Sequence, residues 1–414
     1  MKNSRSIGLL IIVILALSVF VIGCSGNTKA TSAKSSIGEN EFDPAVWGKY
    51  YPLQYESYLK NNEGAKTEFG GSVKESKFIA EPEIVELFKG YGFSKEYNED
   101  RGHTYALKDL LNSKRVGPKT PGSCLSCKTP TAPVLMQQMG AAYYTTPVIE
   151  LAKKAKHAIA CADCHDPKTM QLRVTRPAFI QAMKARGIDV NKASKKEMRS
   201  YVCGQCHVEY YFQTDTKEVI YPWANGIEPA QIEEYYDKIN FSDWEHPDSK
   251  AKMRKVQHPE FETWSTGVHG SAGVSCSDCH MPYMVKDGKK YSSHWWTSPL
   301  KTIDVSCQVC HQQDAKWLKE RVHNTQIRTF NMQTRAAKTL VQAHEAIKTA
   351  FANPKADLNK LKKAQTMVVK AQWYWDWVAA ENSRGFHNPV QALDSLGQAI
   401  DYAYQAIELA RSAY

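Results

Sequence analysis

The chain has 414 residues, 43% of them hydrophobic, and a formal net charge of +10. That length and apolar content exclude a disordered chain and allow one large domain or two ordinary ones. A basic excess taken alone suggests nucleic acid or an anionic surface as partner, so the origin of the charge has to be sought along the chain.

At the N-terminus, Lys2 and Arg5 precede an uncharged apolar run from Ile7 to Gly23, the pattern of an export signal. Val21-Ile22-Gly23-Cys24 resembles the lipobox of bacterial lipoproteins, in which the signal (1–24) is cut before a cysteine that becomes lipidated. The alternative is a retained anchor, since the run lies near the lower limit for a membrane span. Either way the rest of the chain is expected at the outer face of the cytoplasmic membrane or in the periplasm. Residues 25–41, rich in Ser, Lys, Gly and Thr, read as a tether. The folded part is expected from Phe42, with a core over 42–312 and a C-terminal helical part over 313–414.

Only Cys24 of the eleven cysteines is left over; the other ten form five Cys-x-x-Cys pairs. Four pairs are followed by histidine: Cys161/Cys164/His165, Cys203/Cys206/His207, Cys276/Cys279/His280 and Cys307/Cys310/His311. This is the c-type haem attachment pattern, in which two thiols bond the porphyrin and the adjacent histidine is placed to bind iron. Paired zinc-binding cysteines do not require a histidine after every second cysteine. The spacing between copies is irregular, so the chain is not a tandem repeat.

Each iron needs a sixth ligand or an open position. Nine histidines remain: His103, His157, His246, His258, His269, His294, His323, His344 and His387. Four of them suffice to saturate the four ordinary irons, which suits electron transfer and keeps substrate out. The fifth pair, Cys124 and Cys127, is followed by Lys128. A neutral lysine amine can bind iron if burial and the metal's charge free its lone pair; the bland alternative is a surface lysine after an unrelated cysteine pair. Five haems would bring roughly ten ionised propionates, so much of the basic excess reads as counter-charge, and no nucleic-acid partner is expected.

Few strand-like alternations occur between the haem motifs, and the expected fold is mainly α with little β, short helices and loops surrounding porphyrin. After Cys310 helical periodicity dominates. One long helix is expected over 313–352, interrupted by Asn353 to Asp357; a second runs to about Asn382. A third begins with Asn388 as N-cap and Pro389 in the first turn. Trp373, Tyr374, Trp375 and Trp377 supply more apolar surface than an exposed hairpin needs.

From Phe42 onward the chain resembles the pentahaem cytochrome c nitrite reductases. The resemblance rests on the haem motifs together with "RGHTYALKD" (101–109), "CHVEYYF" (206–212), "KVQHPEFETW" (255–264), "TGVHG" (266–270) and "RGFHNP" (384–389). It implies six-electron reduction of nitrite to ammonium at a lysine-ligated haem fed by four bis-histidine haems. It assigns His103 as distal ligand to the Cys203/Cys206 haem, His269 to Cys307/Cys310, His294 to Cys161/Cys164 and His387 to Cys276/Cys279. His157, His246, His323 and His344 gain no role and read as surface or packing residues. Arg115, Tyr210 and His258 fall on the open face of the Lys128 haem. Calcium is implied beside them, held by the Glu209 carboxylate, the carbonyls of Tyr210 and Lys255 and the Gln257 amide oxygen, all hard oxygen donors. The resemblance further implies a homodimer through the C-terminal helices and a quinol-oxidising multihaem cytochrome as electron donor. The competing readings are a multihaem electron carrier without substrate and a reductase acting mainly on hydroxylamine or sulfite.

Overall fold

The computed structural model describes residues 37–414, which form one unit beginning at Ile37. The signal, Cys24 and most of the tether lie outside the described residues. Among the described residues no helix is long and apolar enough to cross a membrane.

Up to Ser306 the chain is built of helices of ten residues or fewer, 3-10 turns and four separate two-stranded antiparallel hairpins. The longest hairpin pairs Tyr283–Lys286 with Lys289–Ser292. The mainly α expectation therefore holds, and no sheet spans the molecule.

Three long helices follow, Ala315–Phe351, Leu358–Ala380 and Pro389–Arg411. Each begins on a polar side chain that accepts orphan backbone N–H groups: Asp314 from Trp317, Asp357 from Asn359 and Lys360, Asn388 from Gln391. Small residues let the three approach closely. Ala336, Ala343 and Ala350 of the first, Ala364 and Ala371 of the second and Ala399, Ala403 and Ala406 of the third are all buried.

The aromatic run on the second helix is spent inward. Trp373, Trp375 and Trp377 are each 1% exposed, and their indole N–H groups reach the Pro229 carbonyl, the Gln333 carbonyl and the Gln391 side chain. These rings share one hydrophobic cluster with Phe88, Phe179, Trp223 and Phe261. The C-terminal helices are thus continuous with the core. The large apolar residues they leave exposed are others: Trp317, Phe351, Leu358, Val390, Leu393 and Tyr404. A smaller cluster of Leu125, Leu135, Tyr143, Val148 and Leu151 packs around Cys124.

Candidate active site and haem-binding cavity

A single branched cavity of about 2470 Å³ is lined by all five cysteine pairs, by Lys128 and by the four histidines that follow the other pairs. Among the described residues none of these ten cysteines is in a disulfide. Local sequence explains why the motifs present their thiols. In Cys161–Cys164 and Cys276–His280 the aspartate between the cysteines caps its own helix, Asp163 accepting from Ala160 N–H at 2.8 Å and Asp278 from Ser275 N–H at 2.7 Å. Gly122 opens the Cys124 motif because a Cβ there would stand 2.1 Å from the Tyr143 carbonyl oxygen.

The four implied distal histidines each face the predicted proximal ring. Centroid separations are 5.9 Å for His103 and His207, 6.1 Å for His294 and His165, 6.2 Å for His269 and His311, and 6.3 Å for His387 and His280. An imidazole nitrogen sits about 2 Å from a bound transition metal, so two rings on opposite faces of one ion have centres roughly 6 Å apart. All four gaps fit an iron.

The ring orientations agree. Nδ1 is held by the Met170 carbonyl in His165, by the Thr297 carbonyl in His280, by the Ser292 carbonyl in His294 and by the Glu381 carboxylate in His387. That leaves Nε2 to face the gap, the arrangement that orients a metal-ligating histidine. Burial pushes the pKa of His103 down to about 3 and those of His280 and His294 to about 4, so their lone pairs are free at neutral pH. In His207 burial acts in the same direction, but Glu260 outweighs it and raises the pKa to about 9.

His258 also lies 6.4 Å from His207, so distance barely separates it from His103. Both rings have Lys128 as well as His207 among their electrostatic neighbours, so His258 also stands near the Lys128 end. Its Nδ1 is buried without a hydrogen-bond partner, and burial first, then Lys128 and His207, hold its pKa down at about 4 against the opposing pull of Glu260 and Asp100. Tyr210 lines the same end, and burial raises its phenol pKa well above the ordinary value. Arg115 completes the group. Its stem lies over Gly92 and its guanidinium over the Phe93 ring at 4.1 Å, and among the described residues no carboxylate stands within ion-pair distance of it.

Beside this end sits the implied calcium set, of which Tyr210 and Gln257 line the cavity while Glu209 and Lys255 do not. Glu209 is fully buried; Tyr236 O–H donates to one carboxylate oxygen at 2.8 Å and Gln257 N–H to the other at 2.5 Å. The Gln257 side-chain Nε2–H donates to the Lys255 carbonyl oxygen at 3.1 Å, which brings the groups of these two residues together. Charge is out of balance here. Glu209, Glu262 and Asp376 are all 0% exposed, and Lys255 is the buried ammonium among them. Burial raises the pKa of Glu209 well above the carboxylate range and that of Glu262 to about 8, and Glu262 Oε2 has no partner. Surplus buried carboxylate next to the Lys255 carbonyl and the Gln257 amide fits a divalent cation. Among the described residues no three His, Cys, Asp or Glu side chains converge on one metal-sized point; the implied set has a single carboxylate and draws the rest of its donors from amides.

Several contributors have no short-range sequence signal. Arg176 is 2% exposed and ties the Ser126 and Thr129 carbonyls, on either side of Cys127 and Lys128, to Asp163 of a second motif. Asp100 lines the cavity as an electrostatic neighbour of His258 and Lys128. Of the histidines without a role, His323 pairs with Glu68 at the surface, while His246 and His344 are buried and stacked at 3.9 Å.

The spatial order of the haem motifs also emerges. The Cys127 and Cys206 side chains are neighbours, as are those of Cys203 and Cys276, and Cys279 neighbours Cys307 and Cys310. Cys164 adjoins Cys203 and Cys206.

Residues 43–413 match the cytochrome c552 family model. The cytochrome c nitrite reductase subunit NrfA of Nitratidesulfovibrio vulgaris is 40% identical, with all of this chain and 87% of the relative aligned. A cytochrome c-552 of Parabacteroides distasonis is 40% identical over 86% of this chain and 74% of its own length. Among solved structures, the catalytic subunit of cytochrome c nitrite reductase from Desulfovibrio desulfuricans, described with two calcium sites, superposes with a TM-score of 0.88 at 39% identity. That match covers 92% of this chain and 88% of the other.

Proposed function

The chain belongs to the cytochrome c552 family, and we propose that it is an ammonia-forming nitrite reductase whose reaction takes place at the haem carried by Cys124, Cys127 and Lys128. The observation that supports this reading is that Arg115, His258 and Tyr210 line the haem cavity and have Lys128, Cys124 or Cys127, the one motif without a histidine, among their electrostatic neighbours. Five attached haems would relay six electrons from an external reductant and provide an iron that takes the nitrogen of nitrite.

The chain's residues divide the remaining work. Arg115, with no carboxylate to neutralise it, binds the nitrite oxygens through charge-assisted hydrogen bonds. His258 presents a ring in a dry setting where a donated hydrogen bond gains strength. Tyr210 stays a phenol at neutral pH and so keeps a proton to give as N–O bonds break. The paired histidines saturate the other four irons and leave them to relay electrons. The thiol adjacencies support a line from Cys307/Cys310 through Cys276/Cys279 and Cys203/Cys206 to Cys124/Cys127, with Cys161/Cys164 beside the third. Calcium held at Glu209 and Gln257 would lock the Tyr210 and His258 segments together and balance the buried carboxylates.

We further infer an exported, lipid-anchored protein that dimerises through its C-terminal helices, as exposed Val390 and Tyr404 support, and accepts electrons from a quinol-oxidising multihaem cytochrome. Ammonium formed per nitrite, with an artificial reductant, tests the central reading. A yield near one is expected. Arg115→Ala and His258→Ala should each lower turnover by roughly 100- to 1,000-fold with all five haems attached; wild-type turnover in both would remove this group from the reaction.

A further inference from the structure

Arg115 is a long, flexible cation at the cavity wall, and nothing in its own segment fixes the guanidinium: its backbone N–H bonds Ser113 Oγ at 3.2 Å, but its head group has no ion pair. Its support comes from another segment. A Cβ placed on Gly92 would lie 3.4 Å from Arg115 Cγ and 3.8 Å from Cδ, so the arginine stem runs across a glycine, and the guanidinium then lies 4.1 Å from the Phe93 ring centre.

Phe93 is held more firmly than a ring at a cavity wall needs to be. It packs against Phe88 at 5.8 Å and edge-on to Tyr97 at 4.8 Å. These three rings surround the Lys255 ammonium, at 5.1 Å from Phe88, 4.9 Å from Phe93 and 5.3 Å from Tyr97. The ammonium is in turn fixed at 2.9 Å by Asp376, which is fully buried on the second long helix. Three successive backbone N–H groups of the same segment each end on a different carboxylate: Lys255 on Asp243, Val256 on Asp376 and Gln257 on Glu209. His258 is the next residue. One anchored assembly thus borders the arginine on one side and the histidine on the other.

We propose that Phe93 is a positioning residue for nitrite recognition, its ring holding the Arg115 guanidinium in place and itself fixed by the Lys255–Asp376 pair. The proposal rests on Arg115 being the anion-binding group. A cation–π contact of this kind contributes about 0.5–2 kcal/mol, or roughly 2- to 30-fold in an equilibrium.

The test compares kcat/KM for nitrite, an anion, with that for hydroxylamine, uncharged above neutral pH, in the holoenzyme. Phe93→Leu should lower the nitrite-to-hydroxylamine ratio by roughly 2- to 30-fold, mainly through KM for nitrite, and Phe93→Trp, which keeps an aromatic face, should restore it. Gly92→Val, which fills the space under the arginine stem and leaves the cage untouched, should lower the ratio as well. In an Arg115→Ala background Phe93→Leu should have no further effect. An unchanged ratio in Phe93→Leu and Gly92→Val, when Arg115→Ala lowers it, overturns the positioning role. Equal loss on both substrates also overturns it, showing a ring that merely supports the fold. No change in Arg115→Ala overturns the assignment of Arg115 itself.

Discussion

With 2% of its surface exposed, Arg176 is bonded to the Ser126 and Thr129 carbonyls and to Asp163, and so fixes the Lys128 loop to a neighbouring haem motif. Removing it would strand Asp163 as an unpaired buried charge. We expect Arg176→Met to cost roughly 3–5 kcal/mol and to impair haem attachment at Cys127 before any other site; denaturant unfolding and the haem-to-protein ratio measure both. The residues that could be read from sequence were those whose chemistry sits in a short motif, such as Lys128 after Cys127. Arg176, Asp100 and Phe93 could not be, because each acts on partners 13 or more residues away, outside any short motif.

At the scale of elements, local signals made the long helices legible: Asn388 with Pro389 marks the start of the third, and Asn353 to Asp357 mark the break between the first two, where Asp357 turns out to cap the second. What joins the elements was not legible. His344 on the first long helix bonds Ser249 Oγ at 2.9 Å and Gln372 on the second at 3.0 Å, and stacks on His246 of a hairpin. Burial lowers the pKa of His344 to about 3 and lowers that of His246. Both rings are neutral when folded, whereas the unfolded chain takes up protons below about pH 6.5. Their contribution is therefore complete above pH 6.5 and is lost as pH falls toward 3. His344→Gln should reduce the slope of stability against pH in that window by about 1.4 kcal/mol per unit, measured by denaturant unfolding at a series of pH values. The segment from Lys255 to Gln257 behaves differently, since its three carboxylates, Asp243, Asp376 and Glu209, have the single Lys255 ammonium among them. Chelation of calcium should lower Tm and nitrite turnover together, with calcium at a hundred times its Kd restoring about 2.7 kcal/mol; Glu209→Gln should abolish the response. Insensitivity of the wild type to chelator would argue against a cation there.

For the whole molecule the informative quantity is the division of five haems into four saturated and one open. Four histidine pairs 5.9–6.3 Å apart and one lysine motif facing Arg115 predict an oxidised spectrum with four low-spin haems and one high-spin haem that takes up an added ligand. Five low-spin haems would turn the reading toward an electron carrier. The sequence by itself determined the haem number, the odd lysine and the helix starts, because covalent attachment and helix capping are local chemistry written within four or five residues. The tertiary structure alone decided which motifs adjoin, that the Trp-rich helix faces the core, and that Arg115 rests on Phe93. Those outcomes depend on packing between segments far apart in the chain, where burial and charge balance, not spacing, select the neighbour.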